Sequence, residues 1–314
     1  MANPHCITDP DEIRRRIAAH GRWWHEIELA PGIVTPGDDS NRQKLPVLEE
    51  LGLPSRLDGA RALDIGCSDG YFSFELEKRG AEVIAIDFVE DTATGFAVAR
   101  EILGSRVKYR VDNVYNLNPE DYGEFDIVFF LGVLYHLRKP LAALDAIRSI
   151  MKTGADLYVA TFLIDEHIVL PDGEVTTLEN LNPQLREIPL WQAYSADALN
   201  GDFTNCFAPN MCALKVALTE AQFSVEASKV LPGGGFVRAT AVNNELAAKY
   251  RRLDGRIHET PFDPSVPYYL DEEGSVHDLT GRRADNLPSD ARPTEERPLT
   301  GSRSWWQRLK DWLT

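Results

Sequence analysis

The chain has 314 residues, 43% hydrophobic and 26% charged, with a formal charge of −16, which is enough for one sizeable core with decoration or two modest domains. No apolar run approaches the roughly 18–20 residues that span a bilayer, and no basic stretch leads into an apolar one at the N-terminus, so a cytoplasmic location is expected. The acidic total weighs against a nucleic-acid partner, because neutralised phosphates supply most of such affinity.

Residues 1–50 read as a helical cover segment, with helical spacing over Asp11–His20, then Trp23, Trp24 and the Thr35-Pro36-Gly37 turn. From about residue 60 to 242, strand and helix patterns alternate, as in an α/β domain with a mostly parallel sheet. Ala60–Ile65 is a buried strand and Tyr71–Arg79 a helix with Gly80 at its C-cap. Glu82–Ile86, a helix over Thr94–Leu103, Val107–Val111 and the largely apolar Phe125–Phe130 follow. Pro140–Met151 is an amphipathic helix and Asp156–Ile164 a fifth strand. The period then breaks: 165–207 is too long and irregular for an ordinary connection and is expected to be a substrate lid. Pro209 suits the first position of a helix to about Gln222, and Ser224–Leu231 and Phe236–Val242 read as a hairpin across Pro232-Gly233-Gly234-Gly235. This order predicts a Rossmann-like, seven-stranded, mostly parallel sheet over 51–245, with one reversed strand, helices on both faces, and N- and C-terminal extensions. Residues 246–301 are expected to be extended or partly disordered, and 302–314 to form a Trp-rich amphipathic helix that contacts a membrane surface, its own domain or a dimer partner.

Asp64-Ile65-Gly66-Cys67-Ser68-Asp69-Gly70 sits where a strand turns into a helix. Glycines there allow a tight turn and a ligand close to the helix N-terminus. The acidic residue before the first glycine suits an ammonium-bearing ligand rather than a pyrophosphate. Asp87 ends the second strand 23 residues on, near the roughly 20-residue offset at which a carboxylate accepts ribose hydroxyls. Asp112-Asn113 ends the third strand, where a side chain can bind an adenine amino group. All three carboxylates fall at the strand-end rim where open α/β sheets bind ligands.

The runs DIGCSDGYFSFEL, AIDF and FDIVFFLGVLYHLRKPLAAL resemble the class I S-adenosylmethionine (SAM)-dependent methyltransferases. Within them, Leu131-Gly132-Val133-Leu134-Tyr135-His136 with Pro140, and Phe207-Ala208-Pro209-Asn210, are similar to the tRNA uridine-34 5-oxyacetate methyltransferase/carboxymethyltransferase-like (CmoB-like) group. The resemblance spans about residues 20–242. It implies SAM as cofactor, with Asp64, Gly66, Cys67, Ser68 and Gly70 at its methionine end. It also implies Asp87 at the ribose, Asp112 and Asn113 near the adenine, and Tyr135 near the transferred group, with Phe88 and Leu131 as further cofactor contacts. Ser68 stands where a middle glycine is commoner. The segment Trp24–Leu29 has no lysine for the extra carboxylate of a carboxymethyl donor, and Glu26 and Glu28 would repel it, so ordinary SAM is expected.

Methyl transfer needs a nucleophile held in line and sometimes deprotonated. His136 and Glu166 are candidate general bases, and aromatic Tyr135, Tyr71 and Trp24 candidate walls for a cation. Asp165, His167, Trp191 and Tyr194 join Trp24 as candidate substrate contacts. Four scattered cysteines, with no Cys-x-x-Cys pair, predict no structural zinc, and no metal site is expected. The preferred partner is a small-molecule, glycan or lipid-linked acceptor. The alternatives are a tRNA wobble-uridine enzyme, for which Arg14-Arg15-Arg16, Arg251-Arg252 and Arg282-Arg283 are the only basic clusters, and a SAM-binding regulatory module without catalysis.

Overall fold

The computed structural model describes residues 6–37, 41–194, 199, 202, 204–232, 234–243, 268–270 and 276–278. The chain divides into two units, 1–247 and 248–314. In the second, Tyr268–Leu270 pairs antiparallel with Val276–Asp278; the rest of the expected extension, and the expected helix at 302–314, lie outside the described residues.

The first unit is built on a seven-stranded sheet. Its strands are β1 (Arg61–Ile65), β2 (Glu82–Asp87), β3 (Lys108–Val111), β4 (Phe125–Leu131), β5 (Met151–Thr161), β6 (Phe223–Leu231) and β7 (Gly234–Ala241). Their spatial order is β6-β7-β5-β4-β1-β2-β3. The first five run parallel, and β7 is antiparallel to both of its neighbours. The sheet is therefore the expected one, with its single reversed strand.

Alternate residues of the central strands feed two cores. Ala62, Ala85, Ile127 and Phe129 pack with α1 (Pro10–His20), α3 (Tyr71–Lys78) and α4 (Phe96–Leu103). Leu63, Ile65, Val128 and Phe130 pack on the other face with α5 (Pro140–Ser149) and α6 (Met211–Glu220). A further helix, α2 (Asn41–Glu50), adds Leu48 to the first core. Burial on both faces explains the apolar run Ile127–Leu131 of β4, while Asp126 near its start pairs with Lys152. The N-terminal segment is part of the body: Asp9 caps α1, Ile13 and Ile17 are buried, and the buried Trp23 indole donates to Ile17 O at 3.1 Å.

Several boundaries differ from the sequence expectation, each for a physical reason. Pro209 ends a short strand instead of opening a helix. Asn210 is the N-cap of α6, its side chain accepting from Ala213 N–H at 2.8 Å. The hairpin resumes at Gly234, because a side chain at Gly234 would meet Thr161 O and one at Gly235 would meet Leu163. α4 starts at Phe96, since the Thr94 hydroxyl and Gly95 N–H are committed to Ser68 O and Asp69. The 165–207 segment carries a hairpin (Ile168–Val169 with Val175–Thr176), a helical turn (Leu178–Leu181), and a strand (Trp191–Ala193) paired with Phe207–Pro209. It packs on a small core of Ile164, Leu178 and Ala208. Among the described residues no helix is long and apolar enough to cross a membrane.

Candidate active site

β1 is flanked by β2 on one side and β4 on the other, so the chain reverses direction across the sheet there, and the crevice outside the strand ends is where open α/β sheets take ligands. The turn after β1 places Gly66, Ser68 and Gly70 at φ of 71°, 48° and 92°. The left-handed value at Ser68 explains why glycine is commoner at that place. It is held by its N–H donating to Asp87 Oδ2 (2.9 Å) and by the Thr94 hydroxyl donating to its carbonyl (3.0 Å).

Asp64 is buried beneath this turn, and the Ser73 hydroxyl donates to its Oδ2 at 2.6 Å. Among the described residues no basic side chain pairs with it. Burial therefore pushes its carboxyl up to about 7, despite the Ser73 hydrogen bond, and the Asp87 charge adds to the rise. Burial also raises Asp87, against the hydrogen bonds it accepts from the backbone N–H groups of Ser68 and Phe88. Burial first, then the neighbouring carboxylates, raises the Cys67 thiol, which makes it unreactive. At Asp112 burial works upward, but hydrogen bonds from the Tyr122 hydroxyl (2.5 Å) and Asn116 amide (2.9 Å) outweigh it and hold the carboxyl low.

A cavity of about 930 Å³ opens over these strand ends. Its walls include Asp64, Gly66, Cys67, Ser68, Asp87 and Phe88, then Asp112, Asn113 and Leu131, together with Tyr135, His136 and Trp24. Phe88 is 80% exposed at the rim, so its ring is available to a flat ligand. Tyr135 and His136 form a helical turn after β4, with ring centroids 4.2 Å apart. Burial lowers the His136 pKa, keeping the imidazole neutral at physiological pH.

Other expected site residues stand elsewhere. Gly70 is behind the turn as the N-cap of α3; a side chain there would collide with Phe96 and Phe74, so it shapes the loop without lining the cavity. Glu166 is ion-paired with Arg186 at 2.9 Å and does not line the cavity, which removes it as a base. Asp165 is buried and accepts from Met211 N–H at 2.7 Å, anchoring α6 rather than a substrate. His167 packs edge-on to Phe162 at 5.0 Å, behind the wall that Phe162 forms. Trp191 pairs with Pro209 and packs on the second core, and Tyr194 packs on the small core of Ile164, Leu178 and Ala208; neither lines the cavity. Tyr71 is buried, and of the N-terminal pair Trp24 alone reaches the cavity. Glu26 and Glu28 do not line it, so the expected repulsion of a donor carboxylate has no geometric basis there, and Gln43 and Lys44 do line it.

Sequence reasoning missed Asp69, Ser73 and Thr161. Asp69 is buried and takes backbone N–H groups from Trp24, His25 and Gly95. Thr161 ends β5 at the cavity wall, buried, with a hydroxyl that has no partner among the described residues. The end of a strand that lies next to β4 was the available signal for Thr161; nothing local marked Asp69 or Ser73.

The residues fit SAM. A buried carboxylate without a basic partner suits an ammonium group, a second carboxylate sits at the next strand end, and the Gly66 turn stays low because a side chain there would run into Val133. Fold and site together define a SAM-dependent methyltransferase domain of class I. The chain belongs to the family described as "Methyltransferase domain", whose model matches residues 39–228. It is 34% identical over 193 residues to a tRNA U34 carboxymethyltransferase of Campylobacter hominis, covering 58% of this chain and 66% of that one. It is 33% identical over 150 residues to a ubiquinone biosynthesis O-methyltransferase of Xanthomonas euvesicatoria pv. vesicatoria, covering 48% and 60%. The chain thus spans less than two thirds of the length of these relatives. Its fold is similar to the N-terminal domain of EvdMO1, solved with SAH and D-fucose, at a TM-score of 0.52 and 20% identity over 77% of this chain and 99% of that one.

Proposed function

We propose that this domain transfers a methyl group from SAM to a small-molecule acceptor held beside Tyr135 and His136. One observation carries the reading: the strand-end carboxylates and the Tyr135–His136 rim line a single cavity whose lining is partly apolar, with Trp24, Phe162 and Phe236. Asp64 would take the ammonium end of the donor, Asp87 its ribose, and Asp112 with Asn113 the adenine edge. When bound, SAM supplies an electrophilic methyl group; the chain binds, orients and excludes water. His136 is the base for the acceptor's proton.

A tRNA acceptor is the second reading, favoured by the tRNA U34 carboxymethyltransferase relative. The net charge of −16 weighs against it. So does the pairing of Arg14, Arg15 and Arg16 with Asp11 and Glu12 of the same helix and Glu101 of α4, which engages the one described basic cluster. The test offers the protein labelled SAM with either a cell metabolite fraction or bulk tRNA. Label in a metabolite supports the small-molecule reading, and label in tRNA with a steep salt dependence overturns it.

A further inference from the structure

We propose that Thr204 and Asp202 are positioning residues for His136, holding its ring with the proton on Nδ1 so that Nε2 keeps the lone pair that receives the acceptor's proton. The proposal rests on the methyltransferase reading and names the device that makes its base competent.

The Thr204 hydroxyl oxygen lies 2.9 Å from His136 Nδ1 and 2.7 Å from Asp202 Oδ1. A hydroxyl has one proton and an ionised carboxylate has none to give. Both contacts are therefore satisfied in one way: Thr204 donates to Asp202 and accepts from Nδ1–H. Thr204 N–H donates to the same Oδ1 at 2.8 Å, and the two hydrogen bonds from Thr204 hold the Asp202 carboxyl below its ordinary range. The opposite tautomer would set the lone pairs of Thr204 against those of the carboxylate.

The backbone around the ring is tied to the same loop. Cys206 N–H donates to Tyr135 O at 2.8 Å, and the Cys206 thiol donates to His136 O at 3.4 Å. The side-chain hydrogen bond of the ring among the described residues is the Nδ1 contact to Thr204, and the ring lines the cavity. Burial opposes protonation of His136; a hydrogen bond to the Thr204 backbone and then the Asp202 charge favour it. Tyr135 and Cys206 are the other titratable groups packed on this residue.

In the transfer step His136 Nε2 takes the acceptor's proton and becomes an imidazolium. The acceptor's electron pair bonds to the methyl carbon, and the donor sulfur keeps the pair of the broken bond. The chain from Nδ1–H through Thr204 to the Asp202 carboxylate then sets an anion behind the new positive charge.

The test is ¹⁵N NMR of the imidazoles in the full, ligand-free chain above pH 7.5, with His136 assigned from H136Q. The expected wild-type pattern is a protonated Nδ1 and a bare Nε2. Thr204→Val should move the ring toward the Nε2–H form and lower kcat about tenfold or more with the KM for SAM unchanged, whereas Thr204→Ser should restore both. Asp202→Asn should keep the tautomer and shift the acid limb of kcat/KM to lower pH, because the imidazolium loses its counter-charge. A protonated Nε2 in the wild type, or a Thr204→Val protein with unaltered tautomer and rate, would overturn the proposal. The wild-type spectrum decides even if Thr204→Val does not fold. Failure of the methyltransferase reading is separate: it shows as absence of SAM binding in calorimetry.

Discussion

Asp69 holds the backbone of His25 across 44 residues of sequence: its Oδ2 accepts from His25 N–H at 2.8 Å and from Trp24 N–H at 2.6 Å. Its other oxygen accepts from Gly95 N–H at 2.7 Å. One buried carboxylate in the turn after β1 thus fastens the N-terminal cover to the start of α4, and through Trp24 it sets one wall of the cavity. Asp69→Ala leaves these N–H groups buried without an acceptor. It should cost about 2–4 kcal/mol in urea unfolding and weaken SAM binding as Trp24 loses its anchor. A variant as stable as the wild type would show that the staple does not bear on the fold.

With Asp64 as the proposed partner of the donor's ammonium group, stability and donor binding should depend on pH in opposite senses. Burial raises its folded-state pKa to about 7, so the folded protein keeps a proton that the unfolded chain has released. The stability this contributes is full below about pH 4 and is lost as pH rises through the folded-state value. An ammonium ligand binds the ionised form, so SAM affinity should rise by up to about tenfold per unit between pH 5 and 7 and then level off. Calorimetry in buffers of different ionisation enthalpy measures the released proton. Asp64→Asn should abolish both trends, and a flat wild-type profile would contradict the assignment.

Gly66 combines a left-handed φ of 71° with a position where a side chain would run into Val133. Gly66→Ala should cost about 1–3 kcal/mol in unfolding free energy and weaken SAM binding more than stability, because the turn lifts toward the ligand. Calorimetric titration beside thermal unfolding separates the two effects; a normal SAM affinity would mean that the turn adjusts away from the cavity.

His136 and Glu166 were equivalent candidates as bases until the geometry separated them. His136 lines the cavity, while Glu166 is paired with Arg186 away from it. Replacing His136 with Gln should lower kcat by about 10²–10⁴, and Glu166→Gln should stay within about threefold of wild type. Steady-state kinetics on the same acceptor checks both, and equal losses would argue against the separation.

The sheet was legible because each central strand carries its own signal. Ile127–Leu131 is apolar throughout, and Asp64, Asp87 and Asp112 each stand within one residue of a strand's end. Strand order then brings those three ends to one cavity, so the carboxylates that line it were legible from their places at strand ends. The acceptor half was not. Thr161 is distant in sequence from Tyr135, and the Asp202–Thr204–His136 chain spans 68 residues between its last two members. Asp165, Glu166 and His167 looked like chemistry because they are polar and follow a strand, but Met211, Arg186 and Phe162 take them up. Local pattern reports which residues are polar; only packing reports which of them are already engaged.

The most direct test of the central claim is calorimetric titration of SAM into the wild-type chain and Asp87→Ala, paired with detection of S-adenosylhomocysteine formed from a metabolite fraction. The wild type should bind SAM at a one-to-one ratio and form the product, and Asp87→Ala should bind at least about tenfold more weakly. Wild-type protein that binds no SAM, or binds it equally well without the Asp87 carboxylate, would contradict the account.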